Sequence, residues 1–248
     1  MRLFNHRHTY TTPGGSYSAL YADMMTQPHL LVAGATGSGK SVVINGIVHA
    51  AMHHAPGTQP GGVELILIDP KRVELVQYKF LPHTICYATE PGQIVNALRA
   101  AMSITESRYA EMQSQRLRKY PGGDVYVIID EFADLILMSS AVKPLIQRIA
   151  QIGRAAKVHI ILATQTPIAK VIPTEIKCNF DARVGLRTRS AQDSRNIIGR
   201  SGLETLPAYG QGRYITPKQD TLYNIPMIPD EELDRLVEFW ERQSHRYA

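Results

Sequence analysis

The chain has 248 residues, 44% of them hydrophobic, enough for one large α/β domain with a substantial core. No apolar stretch approaches the roughly eighteen residues that cross a bilayer, and Met1 to His8 lack the apolar segment of a secretory signal, so a membrane anchor and an export leader are excluded within this sequence and a cytoplasmic protein is expected. Lys and Arg outnumber Asp and Glu by 27 to 22, a formal charge of +5 that permits a polyanionic partner without demanding one.

Residues 1–27 read as an N-terminal extension, 28–225 as an ATPase motor domain and 226–248 as a C-terminal helix. The apolar run His29 to Ala33 predicts a buried strand, and Val42 to His54 predicts a helix. Between them, Gly34-Ala35-Thr36-Gly37-Ser38-Gly39-Lys40-Ser41 fits the phosphate-binding loop G-x-x-x-x-G-K-[ST] without a mismatch. Its glycines let successive backbone N–H groups wrap around phosphates at a helix N-terminus. Lys40 is expected to reach the β and γ phosphates and Ser41 to hold magnesium, so ATP and Mg2+ are the predicted cofactors.

Ala55 to Gly62 is a breaker-rich loop, and Val63 to Asp69 is the next strand. Apolar residues at three- and four-residue steps predict a long amphipathic helix from Gln93 to Arg118, stopped by Pro121-Gly-Gly. Val125 to Ile129 is a short β-branched run that ends in Asp130-Glu131. An aspartate at such a strand end holds the water shell of magnesium, and the adjacent glutamate orients and deprotonates the attacking water. Lys143 to Ala156 reads as a helix and Val158 to Thr164 as a buried strand, after which Gln165 is either a phosphate sensor or a polar loop residue. Ala182 to Leu186 is a further strand, Ala191 to Ile198 a helix, and Asp230 to Arg246 an amphipathic helix with Leu233, Leu236, Val237 and Trp240 on one face. The fold class is therefore α/β, a P-loop NTPase with a mainly parallel central sheet and helices on both faces. Cys86 and Cys178 stand apart and read as free thiols. His6 with His8, and His53 with His54, lack companion ligands at zinc-like spacing and read as surface residues.

Leu30 to Ser41, Asp69-Pro-Lys71 with Glu74-Leu75, Ile128-Ile-Asp-Glu-Phe-Ala-Asp-Leu135, Arg148 to Ala156, His159-Ile-Ile-Leu-Ala-Thr-Gln165 and Asp193-Ser-Arg195 together resemble the motor domain of the FtsK/SpoIIIE family of DNA translocases, in order over residues 28 to 215. The resemblance implies a RecA-like P-loop NTPase fold and a homo-oligomeric ring, usually a hexamer, that surrounds double-stranded DNA and pumps it with ATP. It also implies an arginine finger supplied by a neighbouring subunit. Glu106-Ser-Arg108-Tyr109 resembles the family's E-R-R-Y stretch and makes Arg108 the first choice, ahead of Arg154 and Arg195; the alternative is an ordinary helix arginine. Lys71 is a weaker candidate for sensing phosphate or a neighbour. Arg116, Arg118 and Lys119 lie where the family places a channel loop and are candidate DNA contacts, or else a solvated helix end.

The family's membrane anchor, leading subdomain and winged helix do not fit in this sequence, with only 33 residues after Ile215, and only 21 residues separate Arg108 from Asp130, fewer than the family has there. A minimal motor is expected, without directional sequence reading. Two other readings stay open: a protein-export or conjugative coupling ATPase, and a nucleotide-dependent assembly module without translocation. The Asp130-Glu131 pair argues against the module, which has no need of a water-activating carboxylate.

Overall fold

A computed structural model describes residues 10–12, 15–17, 27–168, 171–225 and 227–243. A short antiparallel hairpin, β1 (Tyr10–Thr12) and β2 (Gly15–Tyr17), comes first. The main body then runs through β3 (Leu30–Ala33), α1 (Lys40–Met52), β4 (Val63–Ile68), β5 (Thr84–Ala88), α2 (Pro91–Ser114), β6 (Asp124–Ile129), α3 (Phe132–Met138) and α4 (Val142–Ala156). It continues with β7 (Val158–Thr164), α5 (Thr174–Lys177), β8 (Ala182–Leu186), α6 (Ala191–Ile198), β9 (Gln211–Thr216), β10 (Gln219–Asn224) and α7 (Asp230–Gln243).

These strands form one sheet in the order β10-β9-β8-β3-β7-β6-β4-β5. From β8 to β5 every pairing is parallel, while β9 and β10 add an antiparallel ribbon at one edge. The strand that leads into the phosphate loop, β3, is thus flanked by β7 and β8, and β7 separates it from β6 with its terminal carboxylates. A parallel sheet covered on both faces is read as continuous apolar runs, and every residue of β3, β6 and β7 is buried. One face packs on α1 and α7 through Leu30, Val32, Ile44, Ile47 and Leu233. The other packs on α2, α3, α4 and α6 through Leu31, Leu98, Phe132, Ile146 and Ile197. The α/β architecture with helices on both faces is the one expected.

Several boundaries differ from the sequence reading. Helix α2 ends at Ser114, four residues before Arg118, because Arg116 takes a left-handed φ of 54° that closes the helix. Several elements had no counterpart: the β1–β2 hairpin; β5, a half-exposed edge strand without clean alternation; α3, seven residues directly behind Glu131; the four-residue α5; and the β9–β10 hairpin, whose outer strand is mostly polar. The C-terminal helix packs into the same core as the motor. Trp240 Nε1 donates to the carbonyl of Met52 at the end of α1 (2.7 Å) and its ring meets His83 edge to face. Residues 244–248, including the helix end expected at Arg246, and His6 and His8 in the N-terminal extension lie outside the described residues.

The amino-terminal edge of the sheet carries a buried pair of histidines. His29 Nδ1 accepts the N–H of Ile160 (3.0 Å), and His159 bridges the Pro28 carbonyl (3.0 Å) and Asp124 Oδ1 (2.8 Å). Burial, reinforced by the nearby His159, lowers the pKa of His29 from 6.5 to about 3. The folded chain therefore keeps this ring neutral while the unfolded chain takes up a proton below 6.5. Its contribution is complete above that pH and is lost between 6.5 and about 3, with a limiting slope of about 1.4 kcal/mol per pH unit. Urea unfolding at pH 7 and pH 5 measures the loss; in His29→Asn, which retains an acceptor for Ile160 but does not titrate, the difference between the two pH values is expected to shrink.

Candidate active site

Because β3, β4, β6, β7 and β8 run parallel, their carboxyl ends share one edge, and the turns leaving them meet there. The phosphate loop is pinned from both sides. Gly34 N–H points at the Thr164 carbonyl (3.4 Å), and Ala35 N–H donates to the Arg187 carbonyl (2.8 Å). Glycine is required at two of these positions for different reasons. A Cβ on Gly34 would sit 2.6 Å from Leu186 Cβ and 2.7 Å from Ser38 Oγ, and Gly39, at the cap of α1, has φ +98°. The loop thus ends at the N-terminus of a thirteen-residue helix, whose first amides have no intrahelical partner.

Lys40 is 4% exposed and Asp130 1%. The ammonium donates to the Asp130 backbone carbonyl (2.8 Å) and forms an ion pair with Oδ1 of the same residue. Asp130 Oδ2 and Ser38 Oγ are buried and have no hydrogen-bond partner among the described residues. Unpaired buried oxygens are costly, and here they accompany a helix N-terminus and an ammonium, the donor and acceptor set that suits a polyphosphate with a hydrated hard cation. The residues fit ATP and magnesium: Ser41 and Asp130 would hold the metal, and Gly34, Ala35, Thr36, Gly37, Ser38, Gly39 and Lys40 would hold the phosphates. When bound, the cation neutralises charge on the transferred phosphoryl group.

Glu131 is 2% exposed, and its position is fixed by the end of β7. Thr164 Oγ1 donates to Oε1 (2.6 Å), and the Gln165 backbone N–H lies 3.1 Å from both carboxylate oxygens. Lys71 Nζ approaches Oε2 at 3.6 Å and Asp134 at the same distance. The carboxylate is held rigidly with lone pairs left on Oε2 for a water. Gln165 presents its side chain to the phosphate loop, where Thr36 Oγ1 donates to Oε1 (2.8 Å). The sensor candidate, the base candidate and the phosphate loop are therefore in one hydrogen-bonded chain. Thr164, and Glu74, which accepts from Ser41, were not assigned roles from sequence. Their only signal was their place in the stretches His159 to Gln165 and Asp69-Pro-Lys71 with Glu74-Leu75.

The remaining candidates lie elsewhere. Arg108 sits near the amino-terminal edge of the sheet, 4% exposed, with Nη1 donating to the carbonyls of Ala156 (2.8 Å) and Lys157 (3.2 Å) and its guanidinium over the Tyr120 ring (4.3 Å). Burial lowers its pKa, while Tyr120 and Glu64 raise it. This arginine ties α2 to the turn between α4 and β7, and its Nη2 is buried 3.9 Å from Glu64 Oε2. Arg154 and Arg195 are exposed, Arg195 on a helix that starts at the carboxyl edge. Arg116, Arg118 and Lys119 are exposed beyond the end of α2, near Tyr120, whose N–H donates to the Ala155 carbonyl (2.9 Å). They are on the amino-terminal side, away from the phosphate loop.

The profile of the FtsK/SpoIIIE family matches residues 10–124 and 119–169. The chain is 37% identical over 253 residues to DNA translocase FtsK of Halalkalibacterium halodurans, covering 92% of this chain and 32% of that protein. It is 38% identical over 245 residues to DNA translocase FtsK of Staphylococcus epidermidis, covering 89% and 30%. The chain thus spans just under a third of the length of these curated relatives. Among solved structures it is similar to the pCW3 conjugation coupling protein TcpA with ATPγS (TM-score 0.77, 19% identity, 90% of this chain and 67% of that one). It is also similar to the cytoplasmic domain of the Thermomonospora curvata type VII secretion ATPase EccC (TM-score 0.76, 23% identity, 92% and 30%). At these identities the structural likeness shows the fold.

Lys40→Ala removes the ammonium that faces the phosphates and is expected to abolish ATP binding in a fluorescent-nucleotide titration. Glu131→Gln keeps the Thr164 and Gln165 hydrogen-bond geometry largely in place. It is expected to bind ATP normally while steady-state turnover drops about 10²- to 10⁴-fold; full turnover in this variant would move the base elsewhere.

Proposed function

Given that the chain belongs to the FtsK/SpoIIIE family and is a P-loop ATPase, we propose that it is the motor of an ATP-driven double-stranded DNA translocase working as a hexameric ring, by analogy with the family. The observation that carries the reading is the meeting of Lys40, Asp130, Glu131 and Gln165 at one sheet edge in a chain matched by this family over most of its motor region. A hydrolytic site complete in its carboxylates fits a machine that turns over ATP, and the relatives are named DNA translocases.

In this reading ATP binds with Mg2+ at the phosphate loop, Asp130 orients the metal's water shell, and Glu131 takes the proton of the attacking water. Gln165, bonded to Thr36, reports the state of the γ-phosphate to the end of β7. A neighbouring subunit completes the site with an arginine, for which the exposed Arg154 and Arg195 are favoured over the buried Arg108. Grip on DNA is directed at phosphates, because a translocase must hold any sequence, and Arg116, Arg118 and Lys119 are the proposed contacts.

Steady-state ATPase with and without long double-stranded DNA tests the reading. Stimulation that declines steeply as salt rises is the expected outcome, since each phosphate contact releases counterions. Activity indifferent to DNA would instead indicate a motor for polypeptide. Arg154→Ala and Arg195→Ala are expected to separate: one binds ATP normally yet loses about 10³-fold or more in turnover, as removal of a trans arginine does in related NTPases. Mixing that variant with Lys40→Ala subunits should restore part of the activity, and a lack of rescue with assembly intact would exclude a trans role for it.

A further inference from the structure

The loop that leaves β4 reaches into the site from a strand that carries neither the phosphate loop nor the terminal carboxylate pair. Asp69 organises it. This residue is fully buried, with Oδ1 accepting the N–H of Arg72 (2.9 Å) and Oδ2 that of Leu75 (3.0 Å). Its own N–H donates to the Ala88 carbonyl of β5 (3.0 Å), Leu75 is buried in the core, and Arg72 takes a left-handed φ of 58° to make the turn. Both ends of the seven-residue segment are therefore anchored. The fold spends a buried carboxylate on fixing where its two charged side chains point, Lys71 to Glu131 and Glu74 to Ser41.

Ser41 Oγ donates to Glu74 Oε1 at 2.6 Å. A serine hydroxyl that ligates a cation offers a lone pair to the metal, so its proton must be directed away from it. An acceptor that claims the proton fixes the rotamer and raises the basicity of the oxygen. On the other side of the same site, Asp130 Oδ2 is buried and unpartnered while its Oδ1 is paired with Lys40. The hydroxyl and the free carboxylate oxygen thus come from different strands, and only the β4 loop supplies a group oriented on the hydroxyl.

We propose that Glu74 is a positioning residue of the magnesium site, accepting the Ser41 hydroxyl proton so that the serine lone pair faces the cation, and adding a negative charge beside it. The inference rests on the nucleotide-binding reading of the phosphate loop and assigns its metal affinity in part to the β4 loop. No bond is made or broken at Glu74, and its effect is on the concentration of magnesium needed to bind nucleotide tightly.

The test titrates Mg2+ at fixed fluorescent ATP analogue and follows anisotropy, with a parallel titration of the analogue in EDTA. In Glu74→Ala the half-maximal Mg2+ concentration is expected to rise about tenfold or more, the usual effect of losing an outer partner of a metal ligand, while affinity in EDTA stays within about twofold. Glu74→Gln, which retains an acceptor but loses the charge, is expected to fall between wild type and Glu74→Ala, and serves alone if the alanine variant does not fold. An unchanged Mg2+ midpoint in the folded variants overturns the proposal, as does an equal loss with and without Mg2+, which would mark Glu74 as packing. Failure of the wild-type chain to bind the analogue at all would instead overturn the nucleotide-binding reading beneath it.

Discussion

Charges buried at the carboxyl edge of a parallel sheet govern how this molecule is built. Lys40 and Asp130 are almost completely removed from water and are 90 residues apart in the chain. Desolvating two such groups costs several kcal/mol each, which their mutual attraction offsets only in good geometry. The strand order supplies that geometry, because β7 inserted between β3 and β6 sets the spacing at which a lysine leaving one turn meets an aspartate leaving the other. The pair is thus better understood as a reserve of oriented charge than as a source of stability. A triphosphate competes for the same ammonium, so the cost of burying the lysine has already been met when nucleotide arrives.

Around that pair the remaining polar groups act as positioning links. Thr164 and the Gln165 amide hold Glu131, Thr36 ties Gln165 to the phosphate loop, and Asp69 shapes the loop that brings Lys71 and Glu74 inward. Each link joins turns from different strands. The arrangement resists independent motion of its parts, so a change at the phosphate loop reaches the end of β7 through two hydrogen bonds.

What was legible in the sequence follows from which signals are local. Buried parallel strands are short continuous apolar runs and α4 has a strong amphipathic stripe, so β3, β4, β6, β7, β8 and α4 could be read within a residue or two. Motif residues were equally plain, since Gly34 to Ser41, Asp130, Glu131 and Gln165 belong to sheet-end turns of the same edge. Edge strands were not: Thr84 to Ala88 is half exposed and β10 is mostly polar, so neither shows a one-sided pattern. The surroundings of Arg108 were not legible either, because an arginine in a helix looks the same whether its head faces solvent or caps the carbonyls of Ala156 and Lys157, 48 and 49 residues away. Glu74 and Thr164 were passed over for a similar reason: their partners are 33 residues distant, and no local spacing records that.

The pairing of β3 bears on how the chain is made. Leu30 lies opposite Ile161 on one side and Ala182 on the other, so the strand that carries the phosphate loop has no sheet neighbour until β7 (Val158–Thr164) has been synthesised. Until then its four apolar residues and the loop behind them are unpartnered, and closing contacts of such long sequence separation is entropically slow. Nucleotide-binding competence consequently waits on strands made long after the motif itself. A ribosome-bound or truncated chain that ends before β7 carries the complete phosphate-loop motif yet lacks the two strands that hold it in shape.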